Sequence, residues 1–136
     1  MSRAPERLTK WRKARLAAHI WWSFVLVHLL LRREPLPEVV RRLGADGVAR
    51  WPSLPPRRLS RLVERCLRIG HWRPRCLIGA LVLFRLLRSQ GAVAELVIGL
   101  PEEADGHEAH AWVEIDGLDV GPPPGRGAHE PLARYR

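Results

Sequence analysis

From Leu77 to Leu87 the chain reads Leu-Ile-Gly-Ala-Leu-Val-Leu-Phe-Arg-Leu-Leu, apolar around the whole circumference of a helix except at Arg85. A helix with no polar face has to be surrounded by other elements. Three upstream segments can do this. Leu16–Leu31 is a long apolar run. Leu36–Leu43 reads as a short helix opened by Pro35 and Pro37 and stopped at Gly44, with Arg41 and Arg42 near its C-terminal end. Arg57–Ile69 carries Leu59, Leu62, Val63 and Cys66 at i, i+3, i+4 and i+7, one stripe of a third helix. Gly44 to Pro56, with two glycines and three prolines, connects the last two.

At 136 residues, 46% hydrophobic and 27% charged, the chain has the size of one domain and too much apolar material to be disordered. The expected layout is a single domain over 1–136: a helical part at 1–70, a core at 71–121, and a Pro/Gly-rich C-terminal extension at 122–136. Two cysteines, Cys66 and Cys76, form neither a disulfide framework nor a zinc-type spacing, so no structural metal site is expected. Cys66, on an apolar helix stripe, reads as a small buried thiol. The net charge of +9 points to an anionic partner, but no nucleic-acid motif accompanies it. Ser89 to Gly125 contains no lysine or arginine, whereas Glu95 to Asp119 holds most of the acids. The domain is thus divided by charge.

The run Leu16–Leu31 is preceded by Lys10, Arg12, Lys13 and Arg15 and followed by Arg32 and Arg33, which imitates a signal anchor. A bilayer span needs roughly 20 apolar residues. This run is shorter, includes His19, Ser23 and His28, and has no small-residue cleavage site before Arg32. A helix packed within the domain or against a partner is the favoured reading, ahead of membrane association and of a cleaved signal, and a cytoplasmic location goes with it.

The chemistry lies further on. Pro74 suits a loop or a first helical turn, and Cys76 follows it at the start of the apolar helix. There the unpaired amide N–H groups and the positive end of the helix make the environment of a nucleophile. Arg73 and Arg75 add positive charge. By itself this pattern also fits an inert buried thiol. After Gly91, Ala94 to Leu100 reads as a strand, Pro101 to Glu108 as a polar loop, and Ala109 to Ile115 as the first strand of a hairpin turning at Asp116-Gly117. Alternation puts His110, Trp112 and Glu114 on one face and Ala111, Val113 and Ile115 on the other, the natural core face.

Cys76-Leu77 opening the helix, Leu86-Leu87-Arg88 closing it, Gly91, Ala94 to Gly99, and above all His110-Ala111-Trp112-Val113-Glu114 with Asp116-Gly117 resemble the transglutaminase-like cysteine protease family of lasso peptide biosynthesis, the B2 leader peptidases. The resemblance covers about Arg73 to Val120. It implies an α+β fold with a papain/transglutaminase-like core: N-terminal helices and a Cys-bearing central helix packed on a small antiparallel β-sheet. It also implies a thiol site in which Cys76 attacks a peptide carbonyl and His110 takes and returns the proton.

The family's pattern includes a third, acidic residue about a dozen positions after the histidine, and the sequence departs there. A two-residue turn at Asp116-Gly117 would set Pro123 opposite His110, or Pro122 after a one-residue slip, and neither side chain accepts a hydrogen bond. Asp119 would pair with Glu114, roughly 13 Å along the strand from His110. A backbone carbonyl, Asp105, Glu108 or Glu130 remain as ways to orient the imidazole. The Cys76 N–H is a candidate oxyanion donor. Trp72 is a second candidate or, more simply, a wall of the cleft.

The function implied is hydrolysis of the leader–core bond of a ribosomally made lasso precursor, without metal or organic cofactor. A leader-recognition protein would deliver the precursor, and a cyclase would take the core peptide. The alternative is a catalytically inactive scaffold in the same peptide-maturation complex.

Overall fold

The computed structural model describes residues 10–45, 54–68, 76–101, 110–122 and 129–136. Within them lie four helices, α1 (Lys10–Arg33), α2 (Leu36–Ala45), α3 (Pro56–Leu67) and α4 (Cys76–Ser89). Four strands follow, β1 (Ala94–Pro101), β2 (His110–Ile115), β3 (Leu118–Gly121) and β4 (His129–Tyr135). The strands form one antiparallel sheet in the order β3-β2-β1-β4. This is the α+β architecture expected of a transglutaminase-like core.

Helix α4 is the axis of the domain. Every residue from Ile78 to Leu87 is buried, as its lack of a polar face requires. Against it pack Ile20 and Val27 of α1, Val39, Val40 and Leu43 of α2, and Leu59, Val63 and Leu67 of α3. On its other side lie Ala94 and Leu96 of β1 and Ala111 and Val113 of β2, the aliphatic face that alternation assigned to the core. Each fully buried leucine or phenylalanine here contributes on the order of 1.5–3 kcal/mol of transfer free energy. The one charge within the buried stretch is Arg85, whose guanidinium donates to Ser23 Oγ at 2.6 Å and lies 3.4 Å from His19 Nε2, tying α4 to α1. At its end α4 is closed by Ser89 Oγ donating to Leu86 O (2.7 Å) and by the Ala92 N–H donating to Leu87 O (3.0 Å).

Helix α3 begins at Pro56, directly after Pro55, whose carbonyl accepts the Leu59 N–H at 3.0 Å. The hairpin turns through Asp116 (φ 52°) and Gly117 (φ 77°), the left-handed pair that a two-residue turn between right-twisted strands needs.

Four expectations change. The apolar run in α1 is only partly enclosed: Ile20, Ser23 and Val27 are buried, while Trp22, Val25 and Leu29 face outward. Cys66 is half-buried rather than fully buried, packed against the edge of the core. The segment read as an extension carries strand β4, which completes the sheet beside β1. Its signal is masked because Pro131 interrupts the alternation; the strand tolerates it by lying at the sheet edge, with a register shift opposite Ile98 and Gly99. Finally, the β2–β3 register is that of a plain two-residue hairpin only as far as Glu114↔Asp119. Val113 then pairs with Gly121, so Val120 is an extra, bulged residue. The bulge moves β3 one residue away from the register that set Pro123, or Pro122 on a slip, opposite His110.

Candidate active site

The expected pair opens two elements. Cys76 is the first residue of α4 and His110 the first of β2. Gly79, three residues after Cys76 and on the same side of the helix, faces Pro122: a Cβ built on it would sit 3.6 Å from Pro122 Cγ. Pro122 follows Gly121, which pairs with Val113, and β3 runs antiparallel to β2 toward the end where β2 begins. The first turn of α4 and the first residue of β2 therefore meet at the same end of the sheet. Cys76 and His110 are both half-buried, and the Nε2 atom of His110 lies on the buried side of its ring. The N–H groups of the first helical turn also point toward this end, where a carbonyl oxygen gaining negative charge would be stabilised.

The face of β2 that carries His110 is as buried as the core face. Trp112 is fully enclosed and Glu114 nearly so. The indole N–H donates to Glu114 Oε2 at 2.6 Å, and Arg134 of β4 donates to Glu114 Oε1 at 2.8 Å. Arg134 also reaches Glu95 Oε2 at 3.4 Å, and Arg136 donates to Glu95 Oε1 at 2.6 Å. The Glu114 carboxylate is thus clamped between an indole and a guanidinium, and its hydrogen bond and charge hold the Arg134 proton more tightly than usual. The clamp sets the indole across β1. A Cβ on Gly99 would lie 2.5 Å from Trp112 Cη2, so only glycine leaves room for the ring there. Gly99 is the cross-strand partner of His110, which places the indole as a wall beside the imidazole.

This clamp is what reading the sequence missed. His-x-Trp-x-Glu marks the shared face, but the partner, Arg134, lies in a segment whose composition does not announce a strand.

Among the described residues, the acids that the sequence offered have strand or turn places away from His110. Asp119 pairs with Glu114, four residues along β2, and its Oδ1 accepts the Gly121 N–H at 2.8 Å. Asp116 is exposed at the turn. Glu130 pairs with Leu100 on the far side of β1, two strand spacings or roughly 10 Å from β2. Asp105, Glu108, Trp72, Arg73 and Arg75 lie outside the described residues, as does Pro123. Among the described residues, no group of three or more His, Cys, Asp or Glu could hold a metal ion.

No curated protein and no solved structure matches the sequence. Residues 20–134 match the transglutaminase-like superfamily, a span that takes in α2, α3, α4 and the sheet as well as most of α1. With a cysteine opening the central helix and a histidine opening a strand of the sheet packed on it, the chain belongs to the transglutaminase-like superfamily.

Proposed function

We propose that this protein is a cysteine peptidase that cuts the leader–core bond of a ribosomally made lasso precursor peptide in the bacterial cytoplasm. What supports the reading is that Cys76 opens α4 and His110 opens β2, the strand on which α4 packs. His110 takes the thiol proton of Cys76 as the sulfur attacks the scissile carbonyl, and N–H groups of the first turn of α4 receive the oxyanion. When the tetrahedral intermediate collapses, His110 returns the proton to the leaving amine. Water, activated by the same imidazole, then frees the acyl group from sulfur. Trp112, held by Glu114, stands on the His110 face of β2. The precursor is delivered by a leader-recognition protein, and the core peptide passes to a cyclase.

The test is leader release, followed by mass spectrometry, with precursor and leader-recognition protein supplied. Cys76→Ala and His110→Ala each abolish cleavage and leave precursor binding intact. The double variant is little worse than either single one, because nucleophile and base act as a unit. Asp119→Ala keeps most activity, since Asp119 pairs with Glu114, four residues along β2 from His110. Cleavage by Cys76→Ala would end the peptidase reading.

A second reading, an inactive scaffold of the same maturation complex, is favoured by the placement of Asp119 opposite Glu114 rather than His110. It requires wild type itself to bind precursor and release no leader.

A further inference from the structure

Helix α1 has a side that the domain does not use. Trp11, Arg15, Ala18, Trp22, Val25, Leu29 and Arg33 are all exposed. At 3.6 residues per turn they fall within an arc of about 80°, opposite buried Ile20, Ser23 and Val27. The large apolar members stand well out: Trp11 is 75% exposed, Trp22 58%, Leu29 49% and Val25 44%. Scattered exposed leucines are ordinary, but two tryptophans and two aliphatics in line on one helix form an apolar stripe.

The charge around that patch selects its occupant. Helix α1 has no aspartate or glutamate, carries Lys10, Arg12, Lys13 and Arg15 at its start, and ends in Arg32 and Arg33. Among the described residues, Lys13, Arg15, Arg32 and Arg33 join no ion pair. A second copy of this helix would bring basic ends together whether it packed parallel or antiparallel. A surface that is anionic all along, with an apolar layer just beneath, matches both features. Tryptophan prefers the headgroup level of a bilayer, and arginine and lysine reach from there to lipid phosphates.

We propose that the outward stripe of α1 binds the surface of an anionic bilayer, with the helix lying in the plane of the headgroups. By length and composition α1 could cross a membrane. Its inner face prevents this: Ile20 and Val27 belong to the core, and Ser23 holds the Arg85 guanidinium. The apolar stripe is narrow, so insertion is shallow and binding needs the cations as well, which makes it reversible by salt. The reading is independent of the peptidase chemistry and holds for an inactive chain too.

The test is sedimentation of the purified full chain with phosphatidylcholine vesicles, with and without phosphatidylglycerol, at low and high salt. Binding to the phosphatidylglycerol vesicles is expected at low salt, at least tenfold weaker without that lipid and reversed by high salt. At low salt the Arg32→Gln/Arg33→Gln variant binds about 25-fold more weakly, each basic residue near the surface being worth roughly fivefold. Val25→Glu/Leu29→Glu and the milder Val25→Ser/Leu29→Ser each lose at least tenfold, with unchanged helical circular dichroism. Equal binding to both vesicle types, no binding to either, or wild-type binding by both stripe variants would overturn the proposal. So would a dimer of the chain that the stripe variants dissolve, since the patch would then face a second copy.

Discussion

Helices α1 and α4 are written in nearly the same alphabet, long, apolar and free of acids, yet they end in opposite situations. Helix α4 is enclosed by three helices and a sheet, while α1 gives one side to the core and keeps the other outside. The difference teaches where apolar composition stops being informative. In α4 the one charged residue of the buried stretch serves the packing: Arg85 reaches into the α1 contact. In α1 the cations gather at both ends, the pattern of a helix with a second environment.

The comparison breaks most readily in the core. Leu83→Ala, at a fully buried position in α4, should destabilise the domain by about 2–5 kcal/mol in denaturant unfolding. Leu29→Ala, the same change on the outer side of α1, should stay within about 0.5 kcal/mol. Similar costs at the two sites would mean that α1 is covered in the isolated chain.

Between these extremes lies the second buried face of β2. Glu114→Ala leaves the enclosed Trp112 N–H without its acceptor and Arg134 without its main partner. We expect a loss of about 1–3 kcal/mol and a blue-to-red change in tryptophan emission as the indole loosens over Gly99. Stability equal to wild type would show that Glu114 does not hold the wall beside His110.

How much of this was legible follows from what each residue declares locally. The α4 core helix, the 94–101 strand, the Asp116-Gly117 hairpin and the pairing of Asp119 with Glu114 come from periodicity and turn chemistry, which act over a few residues. Strand β4 does not, because its place is set by pairing with β1 across a long stretch of chain and by a bulge that accommodates Pro131. The Val120 bulge is equally silent, since nothing in Leu-Asp-Val-Gly distinguishes a regular strand from a bulged one. Cys76 and His110 could be singled out as residues, but the end of the sheet toward which each lies depends on how α4 packs across β1 and β2.

The smallest effect concerns Cys66. Burial pushes its thiol above the ordinary value of 9.0. The folded chain therefore holds this proton more tightly than the unfolded one, a contribution present below pH 9 and lost as pH rises through the folded value. Alkylation of Cys66 in the native protein should begin at higher pH than in the urea-unfolded chain; coincident profiles would contradict the burial.

That slow thiol is also the internal reference for the measurement that bears most directly on the site, the rate of iodoacetamide alkylation at neutral pH followed separately at Cys76 and Cys66. If Cys76 and His110 work as nucleophile and base, Cys76 outpaces Cys66 in wild type. His110→Ala then slows Cys76 at least tenfold while leaving Cys66 and the unfolding midpoint unchanged. Equal rates at the two cysteines, or a Cys76 rate indifferent to His110→Ala, would contradict the account.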